Sequence, residues 1–374
     1  MLSHERIVQR WKKLHKQNKR YMWMILILLI IAFCASLCFR TIQPSFIPKQ
    51  TVINLFHYAR FGLSRVLGTS YYLEKDAVID ALSYYGESVI RLKISAFTVA
   101  AGMGLGLAGA IFQQIYQNPI ASPSTIGAAS GVKLGNMVVV MLFSSAAVQM
   151  VLYRYVLCLI FTGAIMAAVL LVGRFLGYKH GNYSVLEMLM FGSILSRLIS
   201  SFVSYWMYHL AGGAFITYQQ IDLGVYTLYT KKSMLLFFII IAGCLIPLLK
   251  MRFRMNAVSM DPLEAQAAGV NIQLERLIGQ MLAAALVAVA CIQCGDVGLF
   301  ALVIPHIVRY LVGSDFRRLA VCSTIYGGIF LLVIRMVSCM IFMGDEPIPM
   351  GFIVSIVMIP IFLVLLAMRK KGFD

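Results

Sequence analysis

Apolar stretches about as long as a bilayer is thick alternate with short polar breaks along most of the chain. They lie near 21–39, 92–113, 126–144, 151–172, 184–208, 233–249, 276–294, 298–313, 319–341 and 351–368. A helix needs roughly 20 mainly apolar residues to cross ~30 Å of hydrocarbon. The pattern therefore predicts an all-α polytopic membrane protein with about ten transmembrane helices. No tandem repeat or low-complexity linker divides it, so residues 1–374 read as a single transmembrane domain.

One break differs from the rest. "QNPIASPSTIGAASG" (117–131) interrupts two strongly apolar stretches with Asn118-Pro119, Ser122-Pro123 and then glycine and alanine. Such residues cannot simply continue a helix. Non-helical backbone at membrane depth is tolerated where protein or a water-filled cavity satisfies it, so this stretch reads as a structural break inside the bundle.

Composition agrees with the pattern. The 374 residues are 60% hydrophobic and 13% charged, against about 45–50% and about 25% in soluble proteins. The formal net charge is +17, and much of it is topological. Arg6, Arg10, Lys12, Lys13, Lys16, Lys19 and Arg20 precede the first apolar stretch, and Arg369-Lys370-Lys371 follows the last. By the positive-inside rule both ends read as cytoplasmic. The connections near 114–125, 173–183, 250–275 and 314–318 then fall inside, and those near 40–91, 145–150, 209–232, 295–297 and 342–350 outside. "VINLFHYARFGLSRVL", in the first outer connection, is amphipathic and suits the interface. The basic residues flank spans and form no aromatic-interleaved patch, so nucleic acid is not an expected partner. The stretch 22–39 is longer than a signal-peptide core and reads as a first span.

The inner connection 250–275 has an order of its own. Asp261-Pro262 starts a short helix through Glu264, Ala265 and Gln266, and Gly269 stops it. It is either a handle for another subunit or a solvated connector. In "GDVGLFALVIPHIVRYLVGSDFRR" (295–318), Gly295 and Gly298 allow a tight turn, and Pro305 sits early in a span beside His306. His306 could bind metal or relay protons, but a lone histidine beside a helix-bending proline more often satisfies a freed backbone group. Cys291 and Cys294 form the one close cysteine pair and read as small buried interface residues. Intramembrane charge is a functional hint by default. Arg197 lies mid-span among hydroxyl residues, Lys133 early in a span, and Glu187 and Asp296 near span ends. No G-x-x-x-x-G-K-[ST], H-E-x-x-H or G-x-S-x-G occurs, so ATP, if it drives this protein, is hydrolysed on another chain. No catalytic residue and no cofactor is expected.

Taken in order, these stretches resemble the FecCD-type permease family of ABC importers for iron chelates, haem and cobalamin. The family's Q-x-x-x-x-N-P-L-A-x-P-x-x-x-G-x-x-x-G is matched by Gln113, Asn118, Pro119, Ala121, Pro123, Gly127 and Gly131. Its G-x-x-G-x-x-G-L-x-x-P-H-x-x-R is matched by Gly295, Gly298, Pro305, His306 and Arg309, with Ala301 in place of a glycine. Gly313, Asp315 and Arg317 match G-x-D-H-R, with Phe316 for histidine, and Pro349, Gly351 and Pro360 match a later motif, with Met358 for glycine. Ala265 and Gly269 match A-x-x-x-G of the inner helix. Departures include Pro347 at a usually acidic position and Arg335 standing without the expected aspartate.

The resemblance implies a cobalamin-importer-like permease fold of ten spans. Its implied partners are a second permease subunit (homo- or heterodimer), ABC ATPase subunits, an extracytoplasmic substrate-binding lipoprotein, membrane lipid and an iron-chelate substrate. Haem and cobalamin stay open as cargo, and a stand-alone secondary carrier is the rival reading. An intramembrane enzyme using Cys291, Cys294 and His306 ranks third. It further implies ATPase coupling through Asp261, Glu264, Ala265, Gln266 and Gly269. Binding-protein docking falls at Arg91 and Lys93, and a pathway or helix-break role at Asn118, Pro119, Pro123, Arg197, Pro305 and His306. Arg197 could attract an anionic cargo, since the family's fifth span borders the pathway, or could serve as a structural partner for backbone carbonyls or Glu187.

Overall fold

In the computed structural model, the described residues are 27–36, 75–177, 185–210, 212–224, 231–260, 262–340, 342–343 and 346–370. Asp261 and the amphipathic stretch in 40–74 lie outside them, and so do the basic segment before residue 21 and Lys371. The elements are mainly helices: α1 (Ile27–Ser36), α2 (Lys75–Ile115), α3 (Pro123–Ile126), α4 (Ala128–Phe143), α5 (Val151–Gly177), α6 (Val185–His209) and α7 (Gly212–Asp222). Then follow α8 (Lys231–Met251), α9 (Pro262–Ala267), α10 (Ile272–Cys294), α11 (Phe300–Val312), α12 (Phe316–Met340) and α13 (Met350–Lys370). A two-strand antiparallel turn, β1 (Phe342–Met343) with β2 (Glu346–Pro347), joins the last two helices.

The expectation of about ten transmembrane helices is corrected. Among the described residues six helices are long and apolar enough to cross a membrane: 90–115 of α2, 151–173 of α5, 187–209 of α6, 232–251 of α8, all of α10, and 316–338 of α12. Four further apolar helical stretches are shorter within the described residues: Ile27–Ser36, Ala128–Phe143, Phe300–Val312, and Met350–Leu365 of the longer α13. For α4 and α11 the reason is local backbone geometry. Helix α4 starts at Gly127 (φ +115) and stops at Ser144 (φ +50), and α11 stops at Gly313 (φ +83). Sixteen residues rise about 24 Å and thirteen about 20 Å, both short of ~30 Å. Helix α2 departs in the other direction, beginning at Lys75, well before the apolar run at 92.

Close approach of backbones sets the packing. In α2, Gly102, Gly106 and Gly109 share one face; a Cβ there would stand 2.3 Å from Gly327 O, 2.1 Å from Ser323 O and 1.7 Å from Ala301 O. Helices α12 and α11 therefore lie backbone-close against α2, as small residues permit in membranes. Gly131 and Gly135 do the same for α4 on α5, at Thr162 and Cys158. Helix α2 is central, with 83% of its apolar window buried, whereas α6 is peripheral at 17%.

Candidate transport pathway

The break after α2 is built to satisfy its own backbone. Gln117 turns the chain at φ +46, and the Asn118 side chain accepts from the Ile120 N–H at 3.0 Å. Ser122 then caps α3: its Oγ accepts from Thr125 N at 3.2 Å, and Thr125 Oγ1 accepts from Ser122 N at 3.2 Å. Pro123, at the first helical position, loses no bond there. Gly127 takes the left-handed conformation, and a Cβ there would meet Ile165 at 2.8 Å. Ala121, Ser122 and Ile126 are fully buried. Ser124 Oγ donates to Gly298 O at 2.8 Å, which fixes this break against the turn between α10 and α11.

Beside that contact lies a cavity of ≈490 Å³, lined by hydroxyls of Ser124, Ser130, Ser196, Ser200 and Ser201 and by Lys133, Arg197 and Asp296. Lys133 Nζ pairs with Asp296 Oδ2 at 3.2 Å, and Asp296 Oδ1 accepts from Gly298 N at 3.0 Å. Asp222, at the end of α7, lines a small void of ≈10 Å³ with Lys133, Asn136 and Asp296. Beneath them Arg154 is 6% exposed. Its Nε donates to Asn136 Oδ1 at 3.1 Å, and its Nη2 donates to Ile292 O at 2.9 Å and Ile221 O at 3.4 Å. One planar guanidinium thus ties α4 to the C-terminal ends of α7 and α10, where the last carbonyls lack α-helical partners and Ile221 O has only the Gly224 N–H of the closing turn, at 3.2 Å.

Helix α6 forms the outer wall. Ser193, Arg197, Ser200, Ser201, Ser204 and Tyr208 recur at helical spacing on one face, each exposed or half-buried. Ile194, Leu198 and Phe202 lie on the adjoining face and are 61%, 65% and 48% exposed.

A second cavity, of ≈560 Å³, lies at the far end of α2. Asn118, Pro119, Gln113, Asn256, Arg309 and Asp315 are among its walls. Here the inner connection grips α2: Gln114 Nε2 donates to Met255 O at 3.1 Å and Gln117 Nε2 to Val258 O at 3.2 Å. Asn256 ties the same connection to the α11–α12 turn, donating to Asp315 Oδ1 at 2.9 Å and accepting from Phe316 N at 3.0 Å. In α9, Ala265 is buried and Glu264 exposed, and the Val270 N–H closes on Ala265 O at 2.9 Å. Gly269 takes φ +73, and the Gln266 side chain lies outside the described residues.

The structure thus brings Arg197 together with Lys133 and Asp296 and puts Pro123 next to that cavity. Asn118 and Pro119 sit at the second cavity instead. Pro305 and His306 are inside α11, where the His306 ring meets Tyr310 and Phe362 edge-on at 5.5 Å and 6.3 Å. Arg91 is 4% exposed and Lys93 half-buried. Cys291 and Cys294 are buried free thiols, and among the described residues no group of three His, Cys, Asp or Glu stands together to hold a metal ion. Sequence reasoning missed Arg154, Asp222, Asn256 and the pair Gln114 and Gln117. An ionisable residue inside an apolar stretch was the available signal for Arg154.

The sequence profile of the FecCD transport family matches residues 28–368. The molybdate import system permease protein MolB of Haemophilus influenzae is 28% identical over 292 residues, covering 76% of this chain and 81% of that protein. A protein of Helicobacter pylori, named a probable iron chelatin transport system permease protein, is 30% identical over 289 residues, covering 76% and 82%. A solved chain from an inward-facing ABC transporter of metal-chelate type superposes with a TM-score of 0.72 at 24% identity, covering 93% of this chain and 99% of that one. This last likeness shows the fold.

Proposed function

The chain belongs to the FecCD transport family, and from that premise we propose that it forms the permease half of an ATP-driven importer for a ferric siderophore. It is a transport subunit of a multi-pass membrane importer, and its own residues perform no chemistry on the cargo. The polar ribbon on α6 carries this reading. Serine hydroxyls and a guanidinium facing lipid would be costly, whereas the same residues along an aqueous route are favourable.

The cargo class follows from the charges at the cavity: Lys133 and Arg197 against Asp296. A net positive lining favours an anionic complex, as ferric tris-catecholates are. A second permease subunit facing α6 would close the route on its open side and cover Ile194, Leu198 and Phe202. Cytoplasmic ATPases would press on α9 through Glu264. The 255–259 turn would pass that movement to α2 through Gln114 and Gln117, shifting the population between two access states. An extracytoplasmic binding lipoprotein would deliver the chelate near Lys93, with both termini on the ATPase side.

The test is uptake by the complete complex in proteoliposomes. A ferric tris-catecholate should be transported with ATP, and Arg197→Gln should lower its uptake without loss of assembly. Preferred transport of haem, cobalamin or molybdate, with no catecholate uptake, overturns the cargo assignment.

A further inference from the structure

A cavity of ≈440 Å³ opens between the last turn of α2, the far end of α5 and the first turns of α6 and α10. Three leucines face outward on its rim, Leu171, Leu274 and Leu277, at 67%, 50% and 46% exposed, beside the exposed Asn271 and Gln273. Its floor is polar. Gln280, fully buried, accepts from the Tyr116 hydroxyl at 3.0 Å, and its amide Nε2 has no hydrogen-bond partner among the described residues. Arg276 lines the same cavity one turn nearer the start of α10. Beyond it Arg254 pairs with Glu275 at 2.7 Å.

These features fit one ligand. Exposed leucines on a membrane helix are solvated by acyl chains. A guanidinium matches a phosphodiester. A buried amide donor left without an acceptor is costly, and an ester oxygen would supply one. Arg276 and Gln280 are one turn apart, about 6 Å along the axis, on the order of the phosphate-to-ester spacing of a glycerophospholipid. A free phosphate would engage Arg276 and leave both the leucines and the amide unused.

We propose that this cavity binds an anionic phospholipid from the leaflet on the side of the 252–270 connection. The phosphate sits on Arg276, an ester oxygen accepts from Gln280 Nε2, and one acyl chain runs over Leu171, Leu274 and Leu277. The site acts independently of which cargo the importer carries.

The experiment uses the full chain, delipidated in detergent, with native mass spectrometry of retained lipid. Dioleoylphosphatidylglycerol should be retained over dioleoylphosphatidylcholine. Arg276→Gln should lower phosphatidylglycerol retention about fivefold and narrow its preference over phosphatidylcholine, whose phosphodiester is the same but whose choline offsets the charge. Leu274→Trp, at the exposed rim, should lower retention of both lipids while the helical content stays that of wild type. Inorganic phosphate should not displace the bound lipid. Equal retention by wild type and both variants, or displacement by inorganic phosphate alone, overturns the proposal.

Discussion

Lys133 of α4 and Asp296 of the α10–α11 turn form an ion pair at 3.2 Å across 163 residues of sequence. Both side chains are partly open, at 28% and 36% exposed, so water screens the pair. Lys133→Met should cost little stability, and a double-mutant cycle with Asp296→Asn should give a coupling of about 1 kcal/mol. Uptake is the sharper readout: Asp296→Asn makes the lining more positive and should raise the initial rate for an anionic chelate. A lowered rate with assembly intact would count against the electrostatic reading.

Arg154 should behave differently, because nothing screens it. Arg154→Met leaves Ile292 O without its donor and removes the charged donor from Ile221 O and Asn136 Oδ1, which keep only Gly224 N and the Cys158 thiol. The expected loss is about 2–4 kcal/mol, read as a lowered inactivation temperature in detergent. Arg154→Lys should recover only part of it, since an ammonium lacks the fork that reaches three acceptors.

The glycines supply an internal control. Gly106→Ala would drive a methyl to within 2.1 Å of Ser323 O and should destabilise by about 1–3 kcal/mol. A Cβ on Gly243 meets nothing within 4 Å, so Gly243→Ala should be neutral or stabilise by up to about 1 kcal/mol. Equal effects at the two positions would mean that the α2–α12 crossing is looser than described.

Coupling should depend on two amide side chains. Gln114→Leu with Gln117→Leu removes the three side-chain hydrogen bonds by which α2 and the break after it hold the 255–259 turn. The complex should assemble and hydrolyse ATP, but binding-protein stimulation of hydrolysis should fall. A cysteine at Glu264 should crosslink to the ATPase. An uncrosslinked, fully labelled cysteine in the assembled complex would remove α9 from the interface.

Docking at the other face should rest more on Lys93 than on Arg91. Arg91 is 4% exposed, whereas Lys93 is half-buried. Lys93→Glu should lower the on-rate of the binding lipoprotein, with a deficit that shrinks at high salt. Arg91→Glu should chiefly lower the yield of folded chain.

Much of this arrangement was legible in the sequence, because its signals are local. Asn118, Pro119 and Pro123 announce a break in any membrane sequence, and the pattern from Pro262 to Gly269 announces a short helix with a stop. The number of long helices was not legible. An apolar run such as 126–144 reads as a span until the φ values at Gly127 and Ser144 show where the helix ends. Nor were the partners of Arg154 legible, since the carbonyls it binds lie 67 and 138 residues away. Hydropathy carries no information about which distant helix end arrives beside a given side chain.

The ends of α7 and α10 meet backbone to backbone. A Cβ on Gly224 would lie 2.5 Å from the Cys294 carbonyl carbon, and one on Gly295 would lie 2.7 Å from that of Leu223. No side chain stands between the two chains there, so no substitution can widen or narrow the gap by degrees. Sequence drift at this contact has no small steps. A chain either keeps both glycines and the junction closed, or loses the junction whole.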